Sequence, residues 1–213
     1  MSDADFVAEL RARTASFGAS VSVSQARELE TFYSLLSKWN RRINLTALPL
    51  GSSVSMETLD RLFVEPVIAS ELIPPGPLSV IDLGSGAGSP ALPIKILRPL
   101  IRLTMVETKG RKAAFLREAV RTLRLQGVDV EQSRFEALPA SMSSEFDVVT
   151  VRALKVDDNL VSAALELLNL EGRLITFGVD DVPGFEVEER RRLPDGTFAV
   201  SWVSTEEAFD PDL

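Results

Sequence analysis

The feature that most constrains this chain is a change of pattern at residue 78. LSVIDLG, residues 78–84, is a short apolar run that breaks directly into Gly84-Ser85-Gly86-Ala87-Gly88. An apolar run without alternation suits a strand buried on both faces, as in a parallel sheet covered by helices. The pattern then repeats. Residues 90–98 suit a short helix, IRLTMVE (101–107) a second strand and 109–125 a helix. VDVEQS (128–133), FDVVTVR (146–152) and GRLITFG (172–178) supply three more strands, with a helix over 157–169 between the last two. Strands alternating with helices build βαβ units with right-handed crossovers. After Gly178, two alternating runs flank Asp195-Gly196, which is a hairpin signal. The predicted fold class is α/β: a doubly wound, Rossmann-like sheet, mostly parallel, with a C-terminal antiparallel hairpin.

Upstream of residue 78 the pattern is helical. Residues 3–16 and 23–39 read as helices; in the second, Ala26, Leu29, Phe32, Tyr33, Leu36 and Trp39 recur at three- and four-residue spacing, a core face, with Ser24 as the expected cap. ALPLGSSVS (47–55) reads as a loop, and a further helix over 56–72 ends at the PPGP run of 74–77. That run is the expected boundary: 1–77 is an N-terminal helical extension, and 78–213 the sheet domain with an acidic C-terminal hairpin and tail.

Glycines 84 and 86 let the backbone turn tightly and approach a ligand closely. The spacing is G-x-G-x-G with Ser at 89, not G-x-G-x-x-G, which makes a pyrophosphate site for a nicotinamide dinucleotide the weaker reading. Glu107 ends the second strand about twenty residues past the loop, where an acid can accept both ribose hydroxyls of a nucleoside cofactor. Asp82, ending the first strand, would repel a diphosphate but suit a sulfonium cofactor carrying an ammonium group. Together these features point to S-adenosyl-L-methionine and to the methyltransferase variant of the Rossmann architecture.

The chain contains no His and no Cys. That removes imidazole bases, Ser-His-Asp triads, thiolate nucleophiles, disulfides and His- or Cys-held metals; no metal is expected. Residues 1–30 hold acidic side chains and lack the apolar run of a signal peptide, and no stretch is long enough for a spanning helix. The default expectation is a cytoplasmic monomer without membrane contact.

Several segments together resemble a known family. VIDLGSGAGSPALPIKILRP, LTMVETKGRKAAFLRE, SRFEAL and FDVVTVRAL resemble the glucose-inhibited division protein B family, small-subunit ribosomal RNA guanine-N7 methyltransferases. Upstream, YSLLSKWNRRINLTAL is similar to that family's K-W-N-x-x-I-N-L-T element. The resemblance covers about residues 30–178. It implies cofactor contacts at Gly84, Gly86, Gly88, Ser89, Phe135, Glu136 and Arg152, with Glu107 on the ribose, and ribosomal RNA or the small ribosomal subunit as partner. Phe135 also suits plain packing and Glu136 a solvated helix start. Trp39, Asn40, Asn44 and Thr46 match the N-terminal element, although Asn40, Asn44 and Thr46 are equally good turn residues. The chain departs from the family at LFVEP (62–66), where the pattern is H-F-x-D-S; at Ser89, usually bulky, and Ala91, usually Gly; at Val151, usually Ser; and at Phe177-Gly178, usually Lys-Gly.

Guanine N7 carries an in-plane lone pair and no proton, so its methylation needs no general base, which suits a chain lacking His and Cys. Arg152, ending an apolar strand where a crevice should open, is the expected catalytic or orienting residue, and its replacement by Ala should lower turnover without unfolding. RNA contacts are expected at Lys38, Asn40, Arg41, Arg42, Asn44, Lys109 and Arg111, with Lys112 a further candidate; Arg117, Arg121 and Arg124 suit a solvated helix face. A methyltransferase acting on a small molecule or protein, and a cofactor-binding protein without turnover, remain alternatives. The formal charge of −8 argues against RNA until it is divided by region. Residues 1–77 hold 7 basic and 9 acidic side chains, 78–178 hold 13 and 12, and 179–213 hold 3 and 10. The acidic excess lies at the C-terminal end, and the core is nearly neutral.

Overall fold

A computed structural model describes residues 3–51 and 53–205. The acidic tail EEAFDPDL (206–213) lies outside the described residues. Seven strands form one sheet: β1 (Ser79–Leu83), β2 (Arg102–Val106), β3 (Val128–Glu131), β4 (Phe146–Val151), β5 (Leu168–Phe177), β6 (Phe185–Arg192) and β7 (Phe198–Ser204). Their order is β3-β2-β1-β4-β5-β7-β6. Strands β1 to β5 pair in parallel, and β7 runs antiparallel to both β5 and β6. Val80 to Leu83 of β1 are all buried, which is why that strand reads as an unbroken apolar run. The order reverses between β1 and β4, so a crevice opens at the carboxyl ends of these strands.

Among the described residues, four α-helices precede β1: α1 (Asp3–Ala15), α2 (Val23–Asn40), and, within the expected 56–72 helix, α3 (Met56–Leu59) and α4 (Glu65–Ser70). Between α3 and α4 lies a π-helical turn, Asp60–Val64. Pro66 explains the widening, because in a continuous α-helix its ring would clash with the carbonyl of Leu62. The α2 cap is Ser22, not Ser24. Ser22 Oγ accepts from the Gln25 N–H and Gln25 Oε1 from the Ser22 N–H, a reciprocal pair that Ser24, already inside the first turn, cannot make. Arg13 of α1 donates twice to Asp60 at 2.8 Å, fixing α1 to the wide turn.

The remaining helices are α5 (Ala91–Leu97), α6 (Gly110–Thr122) and α7 (Asp158–Leu167). β5 begins at Leu168, four residues before the expected start. Leu168 pairs with Phe146 across an irregularity, and Asp147 Oδ1 accepts from Asn169 Nδ2 while its Oδ2 accepts from the Ser79 N–H. One apolar cluster joins the N-terminal helices to one face of the sheet: Leu10, Leu29, Phe32 and Phe63 pack in it with Val80, Leu103, Phe115 and Ile175. A second cluster places α7 against the other face, around Ile81, Val149, Leu160 and Trp202. The first cluster runs across the PPGP segment.

Candidate active site

The crevice is built from the loop after β1. Gly84 and Ser85 donate their N–H groups to the Val106 carbonyl, each at 2.9 Å, which folds the loop over the end of β2. Gly84, Gly86 and Gly88 all have positive φ, +75°, +52° and +86°. Added Cβ atoms would differ sharply: at Gly84 one would lie 3.0 Å from Leu154, and at Gly88 2.7 Å from Leu92. At Gly86 the nearest atom is 3.7 Å away, so that position opens towards the crevice. Glu107 follows β2 and is 6 % exposed. Its Oε2 accepts from the Gly86 N–H at 2.9 Å and its Oε1 from the Lys109 N–H at 2.8 Å. Oε1 also accepts from Thr108 Oγ1 at 3.4 Å, while Oε2 keeps a lone pair for a further donor.

The space enclosed is about 660 Å³, within the usual range for small-molecule sites. Its walls are the glycine loop, Glu107 to Lys109, Lys112, Ser133 to Glu136 and Arg152 to Leu154. Leu45, Thr46 and Leu48 close one side, joined by Arg61 and Leu62 from the π-helical turn. Arg152 is the most constrained of these groups. It forms an ion pair with the fully buried Glu65 at 3.0 Å, donates to Ser89 Oγ at 3.3 Å, and lies 5.3 Å from the centre of the Phe177 ring. Burial pulls its pKa down to about 10, against the opposing pull of Glu65, so it stays a cation at neutral pH. Burial pushes the Glu65 carboxyl up, opposed by Arg152 and then Arg61.

Residues 25–181 match the family model described as GidB, rRNA small subunit methyltransferase G. The chain belongs to the GidB family. A ribosomal RNA small subunit methyltransferase G of Xanthomonas oryzae is 35% identical over 179 residues, spanning 83% of this chain and 78% of that one. One from a Geobacter species is 33% identical over 169 residues, 79% and 75% of the two chains. Among solved structures, a SAM-dependent methyltransferase from Aquifex aeolicus superposes with a TM-score of 0.55 at 15% identity, covering 70% of this chain and 96% of that one. The [4+2]-cyclase SpnF superposes at 0.56 and 19%, over 82% and 76%. These two show the fold, and a cyclase among them shows that the fold alone does not fix the reaction.

S-adenosyl-L-methionine is the cofactor of this GidB chain, and the crevice suits it. Glu107 Oε2 offers a free lone pair, and Oε1 one held only by the long 3.4 Å contact of Thr108, where a ribose diol can donate; Gly86 leaves room beside it that a side chain would fill. Of the residues singled out in the sequence, Gly84, Gly86, Ser89, Glu107, Phe135, Glu136, Arg152 and Lys109 line the crevice. Asp82 and Gly88 do not. Asp82 is 1 % exposed behind the loop, with Oδ1 accepting from Thr150 Oγ1 at 2.6 Å and a shielded Oδ2 that has no hydrogen-bond partner; burial pushes its pKa up. Gly88 is buried against Leu92 and Leu116. Ser89 is committed to protein partners, since its hydroxyl donates to the Leu62 carbonyl at 3.0 Å as well as meeting Arg152.

The residues expected to meet RNA divide in the same way. Lys38, Arg41, Arg42, Asn44, Lys109 and Arg111 are exposed. Lys38 and Arg42 flank Trp39 and Ile43 in a small apolar hollow apart from the crevice walls. Asn40 is used internally: its Oδ1 accepts from the Leu45 and Thr46 N–H groups and its Nδ2 donates to the Thr46 carbonyl, which turns this loop back onto the crevice. Arg117 donates to the Val130 carbonyl and Arg121 pairs with Glu118, as a solvated face does. Lys112, a candidate for RNA contact in the sequence, also stands on the wall; the sequence reading overlooked Arg134 and Arg61 there and Glu65 behind them. The K-G-x-K run held a signal for Lys112. Glu65 lies in the LFVEP region that departs from the family pattern and Arg61 immediately before it, and beyond their mutual i,i+4 pair their partners, Arg152 and Asp195, are far away in sequence. Among the described residues, no helix is long and apolar enough to cross a membrane, and no acidic, His or Cys group is arranged to hold a metal.

Proposed function

We propose that this chain methylates N7 of a guanine in small-subunit ribosomal RNA. The observation that carries the reading is the position of Glu107, fixed by two backbone N–H groups at the floor of a crevice whose walls also hold Lys109, Lys112, Arg134 and Arg152. The bound cofactor supplies an electrophilic methyl group on a sulfonium. Glu107 accepts from the ribose hydroxyls, and Gly84 and Gly86 admit the methionine part close to the backbone. Phe135 and Glu136 flank the adenine. Arg152, held in the wall, orients the cofactor or the target base. Lys109 and Lys112 on the walls, with Arg111 and the exposed Lys38, Arg41, Arg42 and Asn44 outside, contact RNA phosphates. Asn40 acts indirectly by holding the 44–46 loop.

N7 has no proton to lose, so positioning does the catalysis: nucleophile, methyl carbon and sulfur must be in line, and no base is required. Residues 78–213 then form the cofactor-holding domain, and RNA is met both by its Lys109, Arg111 and Lys112 and by the helical extension 1–77. The ribosomal substrate implies a cytoplasmic enzyme, acting as a monomer. Radiolabelled methyl transfer to undermethylated small subunits, naked ribosomal RNA and total protein tests the reading. Label in either RNA fraction supports it; label in protein alone, or none, rejects it.

A further inference from the structure

We infer that Glu65 is a positioning residue that, from inside the core, fixes two arginines of the crevice wall and links them to the turn of the terminal hairpin. Glu65 has no exposed surface, and its two carboxylate oxygens face different partners. Oε2 lies 3.0 Å from Arg152 Nη2 and Oε1 lies 3.3 Å from Arg61 Nη1. Arg61 also reaches Asp195 at 3.3 Å, in the turn between β6 and β7. Arg152 continues the chain to Ser89 Oγ, which donates to the Leu62 carbonyl.

An ionised carboxylate without surface is strongly unfavourable unless paired, so a purely structural site would hold an apolar side chain here at less cost. Instead both partners of Glu65 stand on the crevice wall. An arginine with several rotatable bonds loses much conformational freedom when fixed, and a buried counter-ion does that fixing before any ligand arrives. The local backbone serves the same arrangement. The π-helical turn carries Arg61, and Pro66 cannot give its nitrogen to the Leu62 carbonyl. That carbonyl is instead taken by Ser89, so two departures from the family pattern, Pro66 and Ser89, compensate each other. Asp195, which carries the link to the hairpin, lies outside the 25–181 family match.

The activity arm of the test rests on the proposed function; the ligand-free arm does not. In protein with 15N-labelled arginine, the Arg152 Nε–H, identified by its loss in Arg152→Lys, should give a sharp, slowly exchanging resonance. Glu65→Gln should broaden or abolish it and lower kcat/KM for methyl transfer roughly ten-fold or more, as misplacement of an orienting group does. Glu65→Asp, which keeps the charge, should restore the resonance and most of the rate. If Glu65→Gln does not fold, the triple variant Glu65→Gln/Arg61→Gln/Arg152→Gln, which removes the acid together with both partners, should match Arg61→Gln/Arg152→Gln in activity; a further loss in the triple variant overturns the inference. An unchanged Arg152 resonance in Glu65→Gln, or a rate within about two-fold of the parent per folded molecule, also overturns it. If the parent transfers no methyl group but Glu65→Gln still releases Arg152, the proposed function fails and the positioning role stands.

Discussion

Gly86 and Gly88 sit two residues apart with positive φ at both, yet a methyl group at each would meet different surroundings. At Gly88 it would collide with Leu92 and press on Leu116, so Gly88→Ala should cost about 2–4 kcal/mol of stability by overpacking and backbone strain. At Gly86 only the backbone conformation resists, at about 1–2 kcal/mol, while the methyl enters the crevice. Gly86→Ala should therefore weaken S-adenosylmethionine binding, measured by calorimetry, far more than it lowers the melting temperature. Arg152→Ala is the opposite kind of change. It strands the buried Glu65, so the variant should lose about 3–5 kcal/mol in urea titrations as well as turnover. The sequence reading expected a loss of turnover alone, because the acid that holds Arg152 is 87 residues upstream and nothing local announces the pair. The same limit applies to Asp82 and Ser89. Their types and spacing were visible, but which side of the loop each faces depends on Thr150 and Leu62, which only the fold brings near.

Elements governed by local rules were legible and those governed by pairing were not. The five parallel strands and the hairpin at Asp195-Gly196 follow from apolar runs and turn chemistry, whereas the early start of β5 depends on Asp147 and Leu168 meeting partners on other strands. The 56–72 helix was expected between a loop and the PPGP run that ends it, while its π-helical turn reflects one proline and a carbonyl supplied with a donor from another loop. The terminal hairpin is tied to β5 by Glu188, which accepts two hydrogen bonds from Arg173 at 2.6 and 2.7 Å and one from Ser201. The Arg173 hydrogen bonds hold the Glu188 carboxyl below its ordinary 4.5. A depressed folded value means stability that is present above the unfolded value and lost as pH falls through the folded one. Glu188→Gln should thus be less stable than the parent at pH 7 by up to about 1 kcal/mol, the pair being partly exposed. That deficit should shrink as pH drops below the ordinary value, as read from urea midpoints at neutral and acidic pH.

Across the whole molecule, the PPGP segment separates two sequence patterns without separating two cores. Leu10, Phe32 and Phe63 pack in one cluster with Val80, Phe115 and Ile175, so the helices before residue 78 and the sheet after it should unfold together. Far-ultraviolet circular dichroism and tryptophan fluorescence, reporting on Trp39 and Trp202, should give coincident urea transitions; two separated transitions would show independent units. The net charge of −8 is likewise a property of regions. Four of the crevice's five cations, Lys109, Lys112, Arg134 and Arg152, belong to the nearly neutral 78–178 segment, and much of the acidic excess lies beyond residue 205. The central claim is the atom that receives the methyl group. After incubation of undermethylated small subunits with the protein and S-adenosylmethionine, borohydride and aniline treatment cleaves RNA at N7-methylguanine. The account predicts one new, protein-dependent cleavage in the small-subunit RNA that disappears with Arg152→Ala. Methyl label in that RNA without any such cleavage would contradict it.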